Sequence, residues 1–394
     1  MGWALDINGF FASMQAGLTD VNGYCMELRR HGESVGAPYS WGNAVDGQVE
    51  STPGNPVDTV PWSTAVSMQI GSSSKFITAV SLTKLLAQTG ISADEPILPY
   101  LPSYWEIGPN VGLITFANLM AQTSGLSAPT TYLVDQTYTA ARKSIENGAA
   151  DASSIGPPGQ LNLAQWDYRN ITFDLCRILM ATVSGTVDVG YTYQVPHPPG
   201  DGALVPPGHQ PLTQLEANDD VWDAATLNFY LPYVQENVLG PAGVTASLER
   251  PDACAIAYPA PPVTAPGWNS GNMTEYAGPT GWHTSVDGML TLMGAFRRAG
   301  TIMSPETAQA MLDARYGIDW GDNLIPQSCP AGLLYPKNGS DGSGGSEEQT
   351  SIVFLPLDME FAVWVNSPTA TSLLLTTCTA FVDNIVDKPE QVGG

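Results

Sequence analysis

The sequence predicts an α/β (α+β) fold, with an antiparallel sheet built from the N- and C-terminal segments and flanked by helices. A mostly helical domain is inserted between those segments. Strand-like alternation occurs near the start and returns only near the end, while the long middle holds helical patches and Pro/Gly-rich connections. The 394 residues are 43% hydrophobic, enough for a sizeable core, and no internal repeat is apparent. The expected division is 1–85 with 275–394 for the sheet domain and 86–274 for the helical one, with the active site at their junction.

The elements follow in order. Residues 23–31 alternate like a strand, Gly32-Glu33 forms a turn, and Tyr39-Ser40-Trp41-Gly42 returns. A helix begins at Ser72, with apolar residues at 76, 77, 79, 80, 82, 85 and 86 that wrap far enough round it to imply burial on most sides. Gly90 is its C-terminal cap. Helical patches cover 114–121, 171–183 and 221–238, separated by Pro/Gly/Ser/Asp-rich stretches around 149–160 and 195–220 that read as long loops. A helix fits 285–299, with Ser285 or Thr284 as N-cap and Gly300 beyond its end; Ser304-Pro305-Glu306 starts the next. Ser351–Leu355 and Glu360–Val365 read as strands, and Leu373–Val386 as a closing helix with one apolar face.

Composition narrows the function. With 38 acidic against 14 basic residues, the formal charge of −24 argues against nucleic acid or an anionic membrane as a partner. No run of roughly 18 apolar residues is present, so no membrane-spanning helix is expected. The start, Met1–Asp6, shows neither a basic region nor an apolar stretch, so no signal peptide is visible. Few lysines, strong acidity and long loops nevertheless tilt the expectation towards a secreted or periplasmic protein over a cytoplasmic one. Five scattered cysteines without CxxC, and four histidines without HExxH, point to no metal and no cofactor. Disulfides and buried free thiols both remain open.

The pattern that carries chemistry is Gly71-Ser72-Ser73-Ser74-Lys75, leading into an apolar helix. Residues i and i+3 share a helix face, so the Ser72 hydroxyl and the Lys75 amine can meet, and a neutral or shared-proton lysine can take the serine proton. The helix N-terminus favours an oxyanion. Only five lysines occur, yet Ser81-Leu82-Thr83-Lys84 repeats the spacing. Ser81 falls mid-helix, away from free backbone N–H groups, and reads as structural. Such a hydrolase also needs a second proton carrier, a second positive charge and a backbone oxyanion hole. Tyr168-Arg169-Asn170 offers the carrier in Tyr168 and an orienting amide in Asn170. Lys337-Asn338-Gly339-Ser340 offers the charge and a further backbone donor, with glycine permitting close approach.

Taken together, these motifs resemble the serine β-lactamase and penicillin-binding-protein superfamily, and most closely its branch of class C β-lactamases, family VIII carboxylesterases and D-aminopeptidases. Gly-Ser-Ser-Ser-Lys is similar to the nucleophile motif, and Thr123-Ser124-Gly125-Leu126 to the element that follows it. Trp166–Asn170 is similar to the Tyr-x-Asn element, whose helix ends at Val183-Ser184-Gly185. Gly281–Asp287 resembles the stretch where a helix follows a Gly-rich turn, and Lys337–Ser340 the Lys-Thr-Gly box. The likeness leaves out roughly 130–160 and 190–220.

The resemblance implies an acyl-enzyme on Ser72, with Lys75 and Tyr168 handling its proton and the backbone N–H groups of Ser72 and Ser340 holding the oxyanion. Asn170 and Lys337 would position a small-molecule substrate, Lys337 by pairing with a carboxylate. Asn338 departs from the usual threonine or serine, which favours ester over lactam or peptide cleavage. The expectation is a carboxylesterase acting on small or medium esters. The alternatives are an amide hydrolase (β-lactamase, D-aminopeptidase or DD-peptidase) and a catalytically silent binding protein. Asn170, Asn272 and Asn338 match the glycosylation pattern, but two of them sit in the expected site and read as chance matches. His283 reads as a loop or wall residue, since this chemistry uses no histidine.

Overall fold

The computed structural model describes residues 2–127, 137–157, 163–192, 213–320 and 325–388. Strand β1 (Gly2–Leu5) runs into α1 (Ile7–Gly17), capped by the Asp6 side chain, which accepts the Gly9 N–H at 3.1 Å. Next come β2 (Gly23–Arg30), β3 (Glu33–Ser34), β4 (Tyr39–Val45), the single turn α2 (Gly47–Glu50), β5 (Val60–Pro61) and β6 (Ser67–Gln69). A 3₁₀ turn, Gly71–Ser73, opens onto α3 (Ser74–Thr89), and Gly90 ends it at φ +73°. The middle holds α4 (Phe116–Met120), α5 (Tyr138–Asn147), α6 (Ile171–Val183) and α7 (Gln214–Val234).

After the short α8 (Gly240–Ala242), β7 (His283–Ser285) leads into α9 (Val286–Gly294), where Ser285 caps the Gly288 N–H at 3.0 Å. A π turn, Ala295–Ala299, widens the end of α9. Then come α10 (Pro305–Asp313), β8 (Ser328–Cys329), β9 (Gly332–Leu333), β10 (Tyr335–Ser343), β11 (Ser346–Leu355), β12 (Met359–Val365), α11 (Leu373–Asp383) and β13 (Ile385–Lys388).

These elements form two compact units, residues 1–80 with 235–394, and residues 81–234. In the first, a seven-stranded antiparallel sheet has the order β10-β11-β12-β2-β4-β5, with β3 beside β2. The two ends of the chain meet at β12 and β2, where Val363 faces Met26. Alternate residues of these strands, among them Met26, Leu28, Val353, Phe361 and Val363, pack under Phe10, Met14 and Phe381 from α1 and α11. Phe10 meets Phe361 edge-on at 5.0 Å. On the opposite face, Phe354 packs against Phe76 and Phe296. Helices therefore cover both faces, which is why every residue of β12 is buried.

In the second unit α6 is buried along its whole length. Its Arg177 donates to Thr226 at 3.1 Å and to Asp223 at 2.7 Å on α7. Asp219 of α7 accepts from Arg142 of α5 and from Tyr104, so the helices are joined by hydrogen-bonded charge as well as apolar contact.

The structure corrects several sequence expectations. Helices α1 and α5 fall outside the elements expected from sequence. The closing helix stops at Asp383, and the chain turns into β13, which pairs with β1 through Leu5↔Ile385. An apolar helix face and a two-sided strand look alike over so few residues. The helix expected at 221–238 begins earlier, at Gln214. Most of the loop expected at 195–220 lies outside the described residues. All five cysteines are free thiols, and burial pushes those of Cys254 and Cys378 up to about 12.

Glu360 on β12 is 0% exposed and is held by Arg297 and Arg298 of the π turn, with Arg298 Nη2 at 2.9 Å. Glu360→Gln removes the partner of a largely desolvated charge pair. Chemical denaturation of this variant is expected to show a loss of about 3 kcal/mol.

Candidate active site

The Gly71–Ser73 turn presents its middle residue alone: Gly71 and Ser73 are buried, whereas Ser72 is partly exposed. Lys75, only 1% exposed, donates from Nζ to Ser72 Oγ at 3.0 Å and to the Pro279 carbonyl at 3.0 Å. The i, i+3 spacing expected from sequence therefore brings hydroxyl and amine together. By contrast, Ser81 is 0% exposed in mid-helix, closed to any acyl donor, and burial lowers the pKa of Lys84.

Strand β10 presses against this turn. A Cβ on Gly339 would lie 2.0 Å from the Ile70 carbonyl and 2.9 Å from Ser73 N, and one on Gly71 would lie 2.5 Å from Ser340 N. Gly71 also has φ +52°, so a side chain there is excluded by both backbone and neighbour. Thr350 of β11 secures the approach: its Oγ1 donates to Ile70 O at 2.9 Å and lies 2.8 Å from Ser73 Oγ. Ser72 and the backbone of Ser340 are thus neighbours, although far apart in sequence. The Ser340 hydroxyl itself turns away and donates to Glu347.

Lys337 stands differently from its expected role as a partner for a substrate carboxylate. It is 1% exposed, and its Nζ donates to Asp319 Oδ1 at 2.6 Å. The other Asp319 oxygen accepts the Asn338 N–H at 2.9 Å. Asp319, unremarked in the sequence, thereby balances the lysine charge within the protein.

Tyr168 and Asn170 belong to the second unit. Tyr168 is half-buried, with its ring 6.3 Å from that of Trp166. One side chain binds this segment to the Thr123–Leu126 motif. Gln122, at φ +60°, accepts from Arg169 N at 2.7 Å and Thr172 Oγ1 at 3.1 Å, and its carbonyl accepts from Asp167 N at 2.9 Å. Asn118 Nδ2 reaches Thr123 Oγ1 at 3.2 Å. The two motifs noted separately in the sequence are therefore one hydrogen-bonded assembly.

His283 occupies β7 rather than a loop, and is 1% exposed. Its Nδ1 faces the Ser247 carbonyl at 3.2 Å and so carries the proton, leaving Nε2 to accept from Ser270 Oγ at 2.8 Å. Both ring nitrogens are occupied structurally. Among the described residues, no group of three or more His, Cys, Asp or Glu is placed to hold a metal.

The Beta-lactamase family model matches residues 35–194. The octameric penicillin-binding protein homologue from Pyrococcus abyssi superposes with a TM-score of 0.62 at 16% identity, covering 94% of this chain and 76% of that one. The class C β-lactamase from Rhodobacter sphaeroides gives 0.59 at 16% identity, covering 95% and 99%. The chain has the β-lactamase fold. A third structure of this fold, the β-lactamase/D-alanine carboxypeptidase from Pseudomonas syringae, gives 0.59 at 14% identity, covering 95% and 98%. No curated protein sequence matches the chain.

Within this fold the burial of His283 has a measurable effect at low pH. Desolvation lowers its pKa from 6.5 to about 4. The unfolded chain then binds more protons across that interval. The stability due to the neutral ring is complete above the unfolded value and is lost as pH falls towards the folded one. Comparing His283→Gln with wild type in denaturant titrations over this range should show the wild type losing about 3 kcal/mol more on acidification, at roughly 1.4 kcal/mol per pH unit.

Proposed function

We propose that this protein is a serine hydrolase that forms an acyl-enzyme on Ser72 and acts as a carboxylesterase on small or medium esters. The observation that carries the reading is the 3.0 Å hydrogen bond between a buried Lys75 amine and the partly exposed Ser72 hydroxyl of the nucleophile turn. In its neutral form that amine accepts the serine proton as Oγ attacks the ester carbonyl. We assign Tyr168 the second proton-transfer role, delivering the proton to the leaving alkoxide and later drawing one from water. The backbone N–H groups of Ser72 and Ser340 are assigned to the oxyanion, supported by the close approach of β10 to Gly71. Asn170 is assigned to substrate positioning, and Lys337, Asn338 and Gly339 to the wall of the site.

Charge supports esters over acids. The Lys337 ammonium is already balanced by Asp319, and the residues beyond Ser340 bring Asp341 and Glu347 to the same hairpin. A substrate carboxylate placed there would meet like charge, which disfavours lactams and C-terminal peptides relative to neutral esters. Asn338, in the position of a carboxylate-binding hydroxyl, agrees with this.

Two experiments test the proposal. Wild type is expected to turn over a p-nitrophenyl short-chain ester far faster than a chromogenic cephalosporin or a D-amino-acid anilide. Efficient turnover of only the last two would replace the esterase by an amide hydrolase. A fluorophosphonate probe should add its mass to wild type and not to Ser72→Ala, and Tyr168→Phe should slow ester turnover by roughly 100-fold or more. Absence of any adduct on wild type would leave a silent binding protein of this fold.

A further inference from the structure

Gln69, at the end of β6, is 0% exposed and takes no part in the chemistry above. Its Oε1 accepts the Gly71 N–H. Its Nε2 donates to Asp341 Oδ2 at 2.6 Å and reaches Thr280 Oγ1 at 3.4 Å. Asp341 Oδ1 accepts the Gly342 N–H at 2.8 Å. The two ends of this amide are not interchangeable, because a backbone N–H requires an acceptor and a doubly accepting carboxylate requires a donor.

The sequence positions give the bridge its meaning. Gly71 immediately precedes Ser72, and Asp341 immediately follows Ser340. One buried amide therefore spans the two backbone points that flank the nucleophile and its oxyanion donor. We propose that Gln69 and Asp341 are positioning residues that set the distance between Ser72 and the Ser340 N–H. This rests on the assignment of Ser72 as nucleophile.

The surroundings hold the pair to one arrangement. Asp341 faces Lys75 from α3, Tyr276 from the turn before β7, and Glu348 across β11 in register. Glu348 is 2% exposed and has Arg250 and Cys254 as its other charged or titratable neighbours. Burial raises the pKa of both carboxylic acids, that of Glu348 strongly. Asp341 accepts from both Gln69 and Gly342.

The polarity of the hydrogen bonds supplies a test with distinct outcomes. In Gln69→Glu, the protonated carboxyl at position 69 donates to Asp341 as the amide does. Once that proton is lost at alkaline pH, two carboxylates face each other. In Asp341→Asn, two donors, Gln69 Nε2 and Gly342 N, compete for a single amide oxygen. The double variant satisfies every group again. The new amide at position 341 donates to the new carboxylate at position 69 and accepts from Gly342, while that carboxylate still accepts from Gly71.

Rates of fluorophosphonate labelling should be followed by intact mass from neutral to alkaline pH, scaled to the folded fraction from near-UV circular dichroism. Gln69→Glu is expected to lose labelling as pH rises, by about 10- to 100-fold relative to wild type. Asp341→Asn is expected to be slow throughout, and the double variant to recover a flat, near-wild-type profile. A wild-type rate for Gln69→Glu at alkaline pH, or a double variant no faster than the single ones, overturns the proposal. Ser72→Ala run alongside keeps the two questions apart, since labelling that survives it overturns the nucleophile assignment instead.

Discussion

The approach of strand β10 to the Gly71–Ser73 turn is the constraint on which the rest of the first unit depends. Gly339 leaves no room for a methyl group against Ile70, and Thr350 fastens the turn to the sheet. That contact requires the β10–β11 register, where Gly339 faces Thr350. It also requires the sheet to be completed across β12 and β2 from opposite ends of the chain. A shift of one residue in β10 would exchange Gly339 for a side chain and turn Asp341 to the other face. The core built by Phe10, Phe361 and Phe381 therefore holds a particular backbone atom, the Ser340 nitrogen, in place beside the nucleophile turn.

Charge around the site is placed residue by residue. The chain is strongly acidic, yet Lys75 and Lys337 each have a fixed partner. Lys75 is turned onto Ser72 and a carbonyl, and Lys337 onto Asp319. At the far end of β12, Arg297 and Arg298 meet Glu360 and Asp358. In each of these pairs the charge taken out of water is hydrogen-bonded, as desolvation demands.

Much of this was legible in the sequence because the signals were local. The spacing of Ser72 and Lys75, the caps at Ser285 and Ser304, the stop at Gly90 and the alternation of β2, β11 and β12 each depend on a few neighbouring residues. What escaped was non-local or ambiguous. β13 resembles the end of α11 until β1 supplies its partner. The glycine in the run after Lys337 signals a close approach, but what approaches it, the Gly71–Ser73 turn, is set only by the fold. Asp319 carries no motif, and its part emerges only when the fold sets it beside Lys337. Gln69 leaves a faint local signal, a polar residue between Met68 and Ile70 just ahead of the nucleophile motif. Its partner Asp341 lies too far along the chain to be paired with it by spacing.

Five sulfur atoms of cysteine lie in this chain, none bonded to another, and four of them are sealed in the interior. Burial holds Cys25, Cys176, Cys254 and Cys378 in the protonated form, which is a poor nucleophile. No covalent tie therefore fastens the scaffold around Ser72, and reductants have nothing to cleave. Alkylating reagents meet a single half-accessible thiol, Cys329 on β8. The molecule thus carries one addressable point for a fluorophore or a spin label, chemically separate from the serine that an acylating probe would seek.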